Sequence, residues 1–228
     1  MNHALNSIEL TAPPGELIPL NYFAELSLHE IFGRIAPLEI DLGCGDGSFL
    51  AGLAGLNPER DFLGIERLRG RVRSASGKIA RCGLTNARVL RAEVSYALQQ
   101  MLPANSVDVF HLMFPDPWPK RRHWHRRAVT DNFLAAIYRA LVPGGTLRIA
   151  TDHAEYFQEM KRLIATSSYF TMTSKWNSLS GSSTFERRFD ELGIEIYRLA
   201  LRKVSEFRKP FNSQRSEKIV IVTAPVSS

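Results

Sequence analysis

The stretch Glu39-Ile-Asp41-Leu-Gly43-Cys-Gly45-Asp-Gly47-Ser-Phe49 decides the fold. A short apolar run carrying Glu39 and Asp41 ends in three alternating glycines, and an apolar periodic segment follows. The pattern reads as a strand, a tight turn and the start of a helix. Glycine suits the turn because the backbone reverses sharply and comes close to a ligand, and a helix start presents free N–H groups. Asp41 falls at the carboxyl end of the strand, where open α/β sheets bind ligands. Glu66 ends the next apolar run, Asp61-Phe-Leu-Gly-Ile-Glu66. It lies roughly twenty residues on, the usual place for an acid that grips ribose hydroxyls.

A dinucleotide-binding fingerprint would carry its third glycine one residue beyond Gly47. Acids at positions 41 and 46 would repel a pyrophosphate, so nicotinamide enzymes are the second reading. They suit a cofactor with a cationic end, such as the amino group and sulfonium of S-adenosylmethionine. The segment here resembles the first motif of the class I methyltransferases. Asp41, Gly43, Gly45, Gly47 and Glu66 are therefore the expected cofactor-binding set.

Outward from this stretch, strands and helices alternate. A Pro-rich, irregular arm is expected over residues 1–20 and an amphipathic helix over 21–35. Strands are expected at Leu38–Leu42, Phe62–Ile65, Ala87–Leu90, Val107–Met113 and Thr146–Ala150. Helices are expected between them: Ser48–Leu56, Arg69–Arg81, one near Ser95–Met101, and Thr130–Leu141, with Ala154–Ile164 after the fifth strand. Continuous apolar runs such as Val107–Met113 belong to strands buried on both faces. The remainder reads β: Tyr169–Trp176, a Ser-rich loop over 177–184, Ile194–Val204 and Ile219–Val222. This order implies a class I methyltransferase (Rossmann-like) α/β fold, a mostly parallel sheet closed by antiparallel strands with helices on both faces. The methyltransferase domain is expected to span residues 21–204, with a C-terminal extension of unassigned role over 205–228.

The 228 residues suffice for one domain with an ample core. No apolar run reaches the roughly 18 residues of a membrane span, and the acidic, proline-containing start is unlike a signal peptide. Two cysteines, Cys44 and Cys82, make neither a disulfide framework nor a metal set. Reduced thiols and a cytoplasmic location are expected. The net charge of +6 suggests a polyanionic partner, and its distribution is uneven.

Phe114-Pro-Asp116-Pro-Trp118-Pro-Lys120 follows the fourth core strand. Asp116 should therefore share a sheet edge with Asp41 and Glu66, its backbone fixed by flanking prolines, and is expected to join them in binding the cofactor. Lys120, Arg121, Arg122, His123, Trp124, His125, Arg126 and Arg127 come next. Five permanent cations and two histidines surround an aromatic within eight residues. Packed together they would repel, so a solvated loop is expected. Interleaved aromatics and cations suit base stacking and phosphate contacts, and residues 121–127 are expected to touch RNA. Five arginines and a lysine, Arg67, Arg69, Arg71, Arg73, Lys78 and Arg81, load the second core helix and read first as a solvated face. His111 reads as a satisfied core histidine, and His153 as either a helix cap or a substrate contact.

These residues resemble the bacterial tRNA (guanine-N(7)-)-methyltransferases, which modify the variable loop of tRNA. The similarity runs from about Phe32 to Arg202, and Phe-Pro-Asp-Pro-Trp before a basic run is its most specific motif. The resemblance implies S-adenosylmethionine as cofactor, tRNA as partner, and a monomer or homodimer with no metal. It implies an acid near the adenine, here Glu93. It implies substrate contacts at Lys120, at Asp152 of Thr151-Asp152, and at Ser183, Thr184, Phe185 and Glu186. The family usually carries Glu where Asp41 stands, Asp where Glu93 stands and Thr where Ser183 stands. N7 of guanine has a lone pair and no proton to lose, so no general base is needed. A carboxylate near the ring would stabilise the charge developing in transfer, which makes Asp116 the catalytic candidate. A non-catalytic RNA-binding protein on the same fold, or a methyltransferase for another RNA or a small molecule, are the competing readings.

Overall fold

The computed structural model describes residues 15–173 and 193–204. The chain forms β1 (Glu16–Leu17), α1 (Leu28–Phe32), β2 (Leu38–Leu42), α2 (Ser48–Leu56), β3 (Asp61–Glu66), α3 (Arg69–Arg81) and β4 (Ala87–Arg91). A short α4 (Val94–Tyr96) runs into a π turn at Ala97–Met101, followed by β5 (Val107–Met113). After β5 come a 3-10 turn (Arg121–Arg126), α5 (Asp131–Ala140), β6 (Leu141–Thr151), α6 (Ala154–Thr166), β7 (Phe170–Met172) and β8 (Tyr197–Lys203).

The strands make one sheet in the order β1-β4-β3-β2-β5-β6-β8-β7. Strands β1 to β6 pair in parallel, and β8 runs antiparallel to both β6 and β7. The winding reverses between β2 and β5, which is where such sheets hold ligands beyond their carboxyl ends. Every residue of β2 and β3 is buried, as expected of strands covered on both faces. One core gathers Ile40, Leu63, Phe110, Leu134, Leu147 and Tyr156; a second packs Phe49, Leu50, Phe62, Val72 and Ile79 under α2 and α3.

Two glycines fix how closely these parts approach. A Cβ on Gly47, which has φ +75°, would lie 2.6 Å from the Cβ of Ala75, so the start of α2 touches α3 directly. A Cβ on Gly64 would lie 2.6 Å from the Cys44 sulfur, so β3 leaves room for the turn that carries Cys44.

The elements depart from expectation in places. Residues 15–20 are not all loose: Leu17 is buried and Glu16–Leu17 pairs with β4. The helix expected over 21–35 shrinks to Leu28–Phe32, because the Tyr22 carbonyl accepts from the Tyr96 hydroxyl and Leu26 N–H donates to the Met101 carbonyl, tying the chain ahead of it to the π turn. Gly33 then ends α1 in the left-handed conformation. The strand expected at Thr146–Ala150 begins at Leu141, with a register shift opposite Val107–Val109 that absorbs Pro143-Gly144-Gly145. The expected loop at 177–184 and strand at Ile219–Val222 lie outside the described residues. No helix among the described residues is long and apolar enough to cross a membrane.

Candidate active site

A cavity of about 660 Å³ opens at the winding reversal. Its walls are the ends of β2 (Leu42, Gly43) and β5 (Leu112, Met113, Phe114), Glu66 at the end of β3, Glu93 after β4, and Asp116 with Trp118. That volume suits a ligand of nucleoside-conjugate size. Four elements far apart in sequence thus bring Gly43, Glu66, Glu93 and Asp116 to one space.

Glu66 is the organiser of the turn. Its carboxylate accepts from Gly45 N–H at 3.2 Å and from Leu68 N–H at 2.8 Å, with the Arg71 guanidinium 3.9 Å away. Gly43 and Cys44 N–H both donate to the Ile65 carbonyl, which closes the turn onto β3. Asp46 is neutralised within the protein: it accepts from Ser48 N–H and hydroxyl and pairs with Lys78 at 2.9 Å. Glu93 accepts from Tyr96 N–H at 2.8 Å, capping α4.

Asp41, Gly45 and Gly47 stand outside the cavity wall. Asp41 is buried, and burial first, then the Glu66 carboxylate, pushes its pKa up to about 7. Two carboxylates this poorly solvated favour a cation beside them, and a cationic ligand end answers that need. Cys44 is also buried, which pushes its thiol well up and leaves it unreactive.

Asp116 is exposed and framed by strained backbone: Phe114 and Trp118 take φ of 52° and 43°. Such conformations in residues other than glycine gather at functional sites. Phe114 N–H is anchored to the Ala150 carbonyl at 2.8 Å, and Arg127 holds the other side.

Here the structure corrects the reading of Arg127. It was expected to reach RNA with its neighbours, but it is only 5 % exposed. Its Nε donates to the Pro117 carbonyl at 2.8 Å, and its guanidinium pairs with Glu159. Its carbon centre lies 4.5 Å from the Trp124 ring centroid and 4.8 Å from that of Tyr156. A planar guanidinium has the shape for two stacked rings and an in-plane acceptor at once, so the last cation of the run folds inward. The Tyr156 hydroxyl in turn accepts from Val129 N–H.

The rest of the basic run forms the 3-10 turn 121–126 rather than an open loop. Lys120, Arg122 and Arg126 are exposed. His123 meets Trp118 edge-on at 5.7 Å, and Arg126 lies over the Trp118 ring at 5.0 Å. Trp118 therefore carries an arginine on its face. Thr151 is buried, Asp152 is exposed, and His153 caps α6 by accepting from Tyr156 N–H. His111 is a core histidine bonded to Glu39 at 2.6 Å. Ser183, Thr184, Phe185 and Glu186 lie outside the described residues. Among the described residues no cluster of His, Cys, Asp or Glu could hold a metal ion. Gln99 and Asn132 line the cavity and Tyr156 braces Arg127 without any signal in the chain that marks them; polar residues inside helices carry no pattern that singles them out.

Comparison with known proteins agrees with this architecture. The family model described as "Putative methyltransferase" matches residues 35–204. A tRNA (guanine-N(7)-)-methyltransferase of Nitrosomonas eutropha is 35 % identical over 187 residues, covering 79 % of this chain and 82 % of that protein. One from Nitrosomonas europaea is 38 % identical over 171 residues, covering 75 % and 76 %. Among solved structures, the 16S rRNA methyltransferase KamB superposes with a TM-score of 0.59 over 82 % of this chain and 96 % of that chain, at 16 % identity. That last likeness concerns the fold alone.

Proposed function

The chain belongs to the tRNA (guanine-N(7)-)-methyltransferase family, and from that membership we propose that it transfers a methyl group from S-adenosylmethionine to N7 of a guanine in the variable loop of tRNA. The observation that carries the reading is Asp116, held by strained backbone at the mouth of the cavity, with the basic turn 121–126 directly after it in the chain.

The cofactor supplies an electrophilic methyl on a positive sulfonium. The residues fit it: Glu66 lines the cavity with lone pairs that would accept from ribose hydroxyls, Glu93 on the same wall would take the adenine, and buried Asp41 behind the wall favours a cationic end. Asp116 accepts from the N–H groups of the guanine and faces the charge that the ring gains. Such a contact strengthens as the reaction proceeds and so lowers the barrier. Lys120 and Asp152 orient the nucleotide, and Ser183, Thr184, Phe185 and Glu186 complete the substrate contacts. Lys120, Arg122, His123 and Arg126 hold phosphates. Positioning of the two reactants supplies most of the acceleration. Such an enzyme works beside tRNA in the cytoplasm.

A non-catalytic RNA-binding role on the same fold would leave the cofactor end free to decay, whereas Glu66 still accepts from Gly45 and Leu68 N–H and the turn Gly43–Gly47 is still closed onto β3. Incubation with unmodified tRNA and methyl-labelled S-adenosylmethionine, followed by cleavage at 7-methylguanosine, tests the proposal. Label in the variable loop is the expected result. Label elsewhere, or none, refutes it.

A further inference from the structure

Helix α3 breaks several rules of helix stability at once. Arg69 and Arg71 occupy its first turn, where the helix dipole disfavours cations, with Arg67 just ahead. The first turn holds no acid, and the N-cap Leu68 contributes no side-chain bond. Arg69 and Arg73 face each other one turn apart, a repulsive pair on a helix surface. From Arg67 to Cys82 the sequence contains no acid at all.

Little within the described residues offsets this. Lys78 is paired with Asp46, and Arg71 stands 3.9 Å from Glu66. Arg67, Arg69, Arg73 and Arg81 are exposed and form no ion pair among the described residues. The buried side of the helix, Val72, Ala75, Ser76 and Ile79, provides its packing without them. Local rules broken without an internal gain mark functional surfaces.

The placement is specific. Helix α3 follows β3 and the basic turn follows β5, with β2 between the two strands. Arg67 and Arg71 line one side of the cavity, and Trp118 and Arg126 line the side built from the loop after β5. The arginine face therefore begins at the cavity and leads away from it along α3.

We infer that the α3 arginines are a second tRNA-binding surface, which holds the sugar-phosphate backbone across the cavity from the 121–126 turn. The inference rests on the proposed tRNA substrate. Arginine forks match phosphate oxygens in pairs, and release of counterions from the bound backbone makes the contact salt-dependent. The polyanion also supplies the neutralisation that the helix lacks.

Arg69 and Arg73 lie outside the cavity wall, so their substitution spares the chemistry. The test compares wild type, R69Q/R73Q and R69K/R73K in tRNA binding across a salt series, with thermal melting and single-turnover rates at saturating tRNA. For R69Q/R73Q the slope of log affinity against log salt should fall by about 2, one per phosphate contact. Its melting temperature should stay level or rise, and its saturated rate should stay within about twofold of wild type, since chemistry is untouched. The lysine pair should keep the wild-type slope. Wild-type slope and affinity in R69Q/R73Q would overturn the inference while leaving the proposed function standing. Equal loss of slope in both variants would also overturn it, by assigning the effect to packing. Loss of binding to anionic phospholipid vesicles with tRNA binding unchanged would overturn it in favour of a membrane surface. Failure of the wild type itself to bind tRNA would overturn both readings.

Discussion

The Nε of Arg127 donates to the carbonyl of Pro117 at 2.8 Å, so the last cation of the basic run grips the peptide beside Asp116. Two aromatic rings and Glu159 hold that guanidinium in turn. The catalytic candidate and the helix α6 are thereby joined through one side chain. An arginine counted among the RNA contacts by composition becomes part of the frame.

Arg127→Ala should lower the single-turnover rate by about tenfold or more, because a small misplacement of a positioning group costs that much. The salt dependence of tRNA binding should not change. Arg127→Lys should resemble the alanine variant, since an ammonium cannot stack flat and donate in plane together. A lowered salt slope with an intact rate would return Arg127 to the phosphate contacts.

Asp116→Asn keeps size and removes charge. Its rate at saturating tRNA and cofactor should fall about a hundredfold, the usual effect of losing one preorganised charge partner. Affinity for tRNA should change little. Single-turnover kinetics decide the matter: a rate within about threefold of wild type would reduce Asp116 to a loop brace.

Glu66→Gln preserves an oxygen for Gly45 or Leu68 N–H and weakens the grip on ribose hydroxyls. Calorimetric titration should show at least a tenfold loss of S-adenosylmethionine affinity, about 1.4 kcal/mol. Glu66→Ala should in addition lower the melting temperature, because two backbone donors lose their acceptor. Unchanged affinity in Glu66→Gln would remove the residue from the cofactor site.

The raised Asp41 pKa makes a prediction about pH. Folded Asp41 titrates near 7, against an ordinary value of 3.8. Between those values the folded chain holds a proton that the unfolded chain has lost, so this group makes stability fall as pH rises from about 4 to about 7 and then level off. The roughly three-unit shift corresponds to an upper limit of about 4 kcal/mol at pH 8. Asp41→Asn should therefore be stabilised relative to wild type at pH 8 and close to it at pH 4. Urea denaturation at both values checks this; an equal difference at the two would separate the Asp41 charge from stability.

The sheet was legible because burial on two faces writes itself as continuous apolar runs, and β2, β3 and β5 fall where those runs lie. Glu66 and Asp116 were legible for a related reason: polar residues just past such runs must sit at one sheet edge. What the chain does not spell out is the direction in which an individual side chain leaves the backbone. Arg127 sits in a run whose charge implies solvent, and Tyr156 and Glu159, far along the chain, join the Pro117 carbonyl and the Trp124 ring in turning it inward. Asp41 lies at the carboxyl end of its strand as expected, yet the next two residues, Leu42 and Gly43, form the cavity wall instead. A two-residue strand such as β1 has no period to read at all.

That two-residue strand has a bearing on solution behaviour. Glu16 and Leu17 cover β4, whose backbone would otherwise line the rim of the sheet as a row of unpaired donors and acceptors. Removing the segment through Leu17 would turn that rim into a template for another molecule's strand. A shortened protein would then betray itself first by self-association in light scattering, while the winding reversal between β2 and β5 still held its shape.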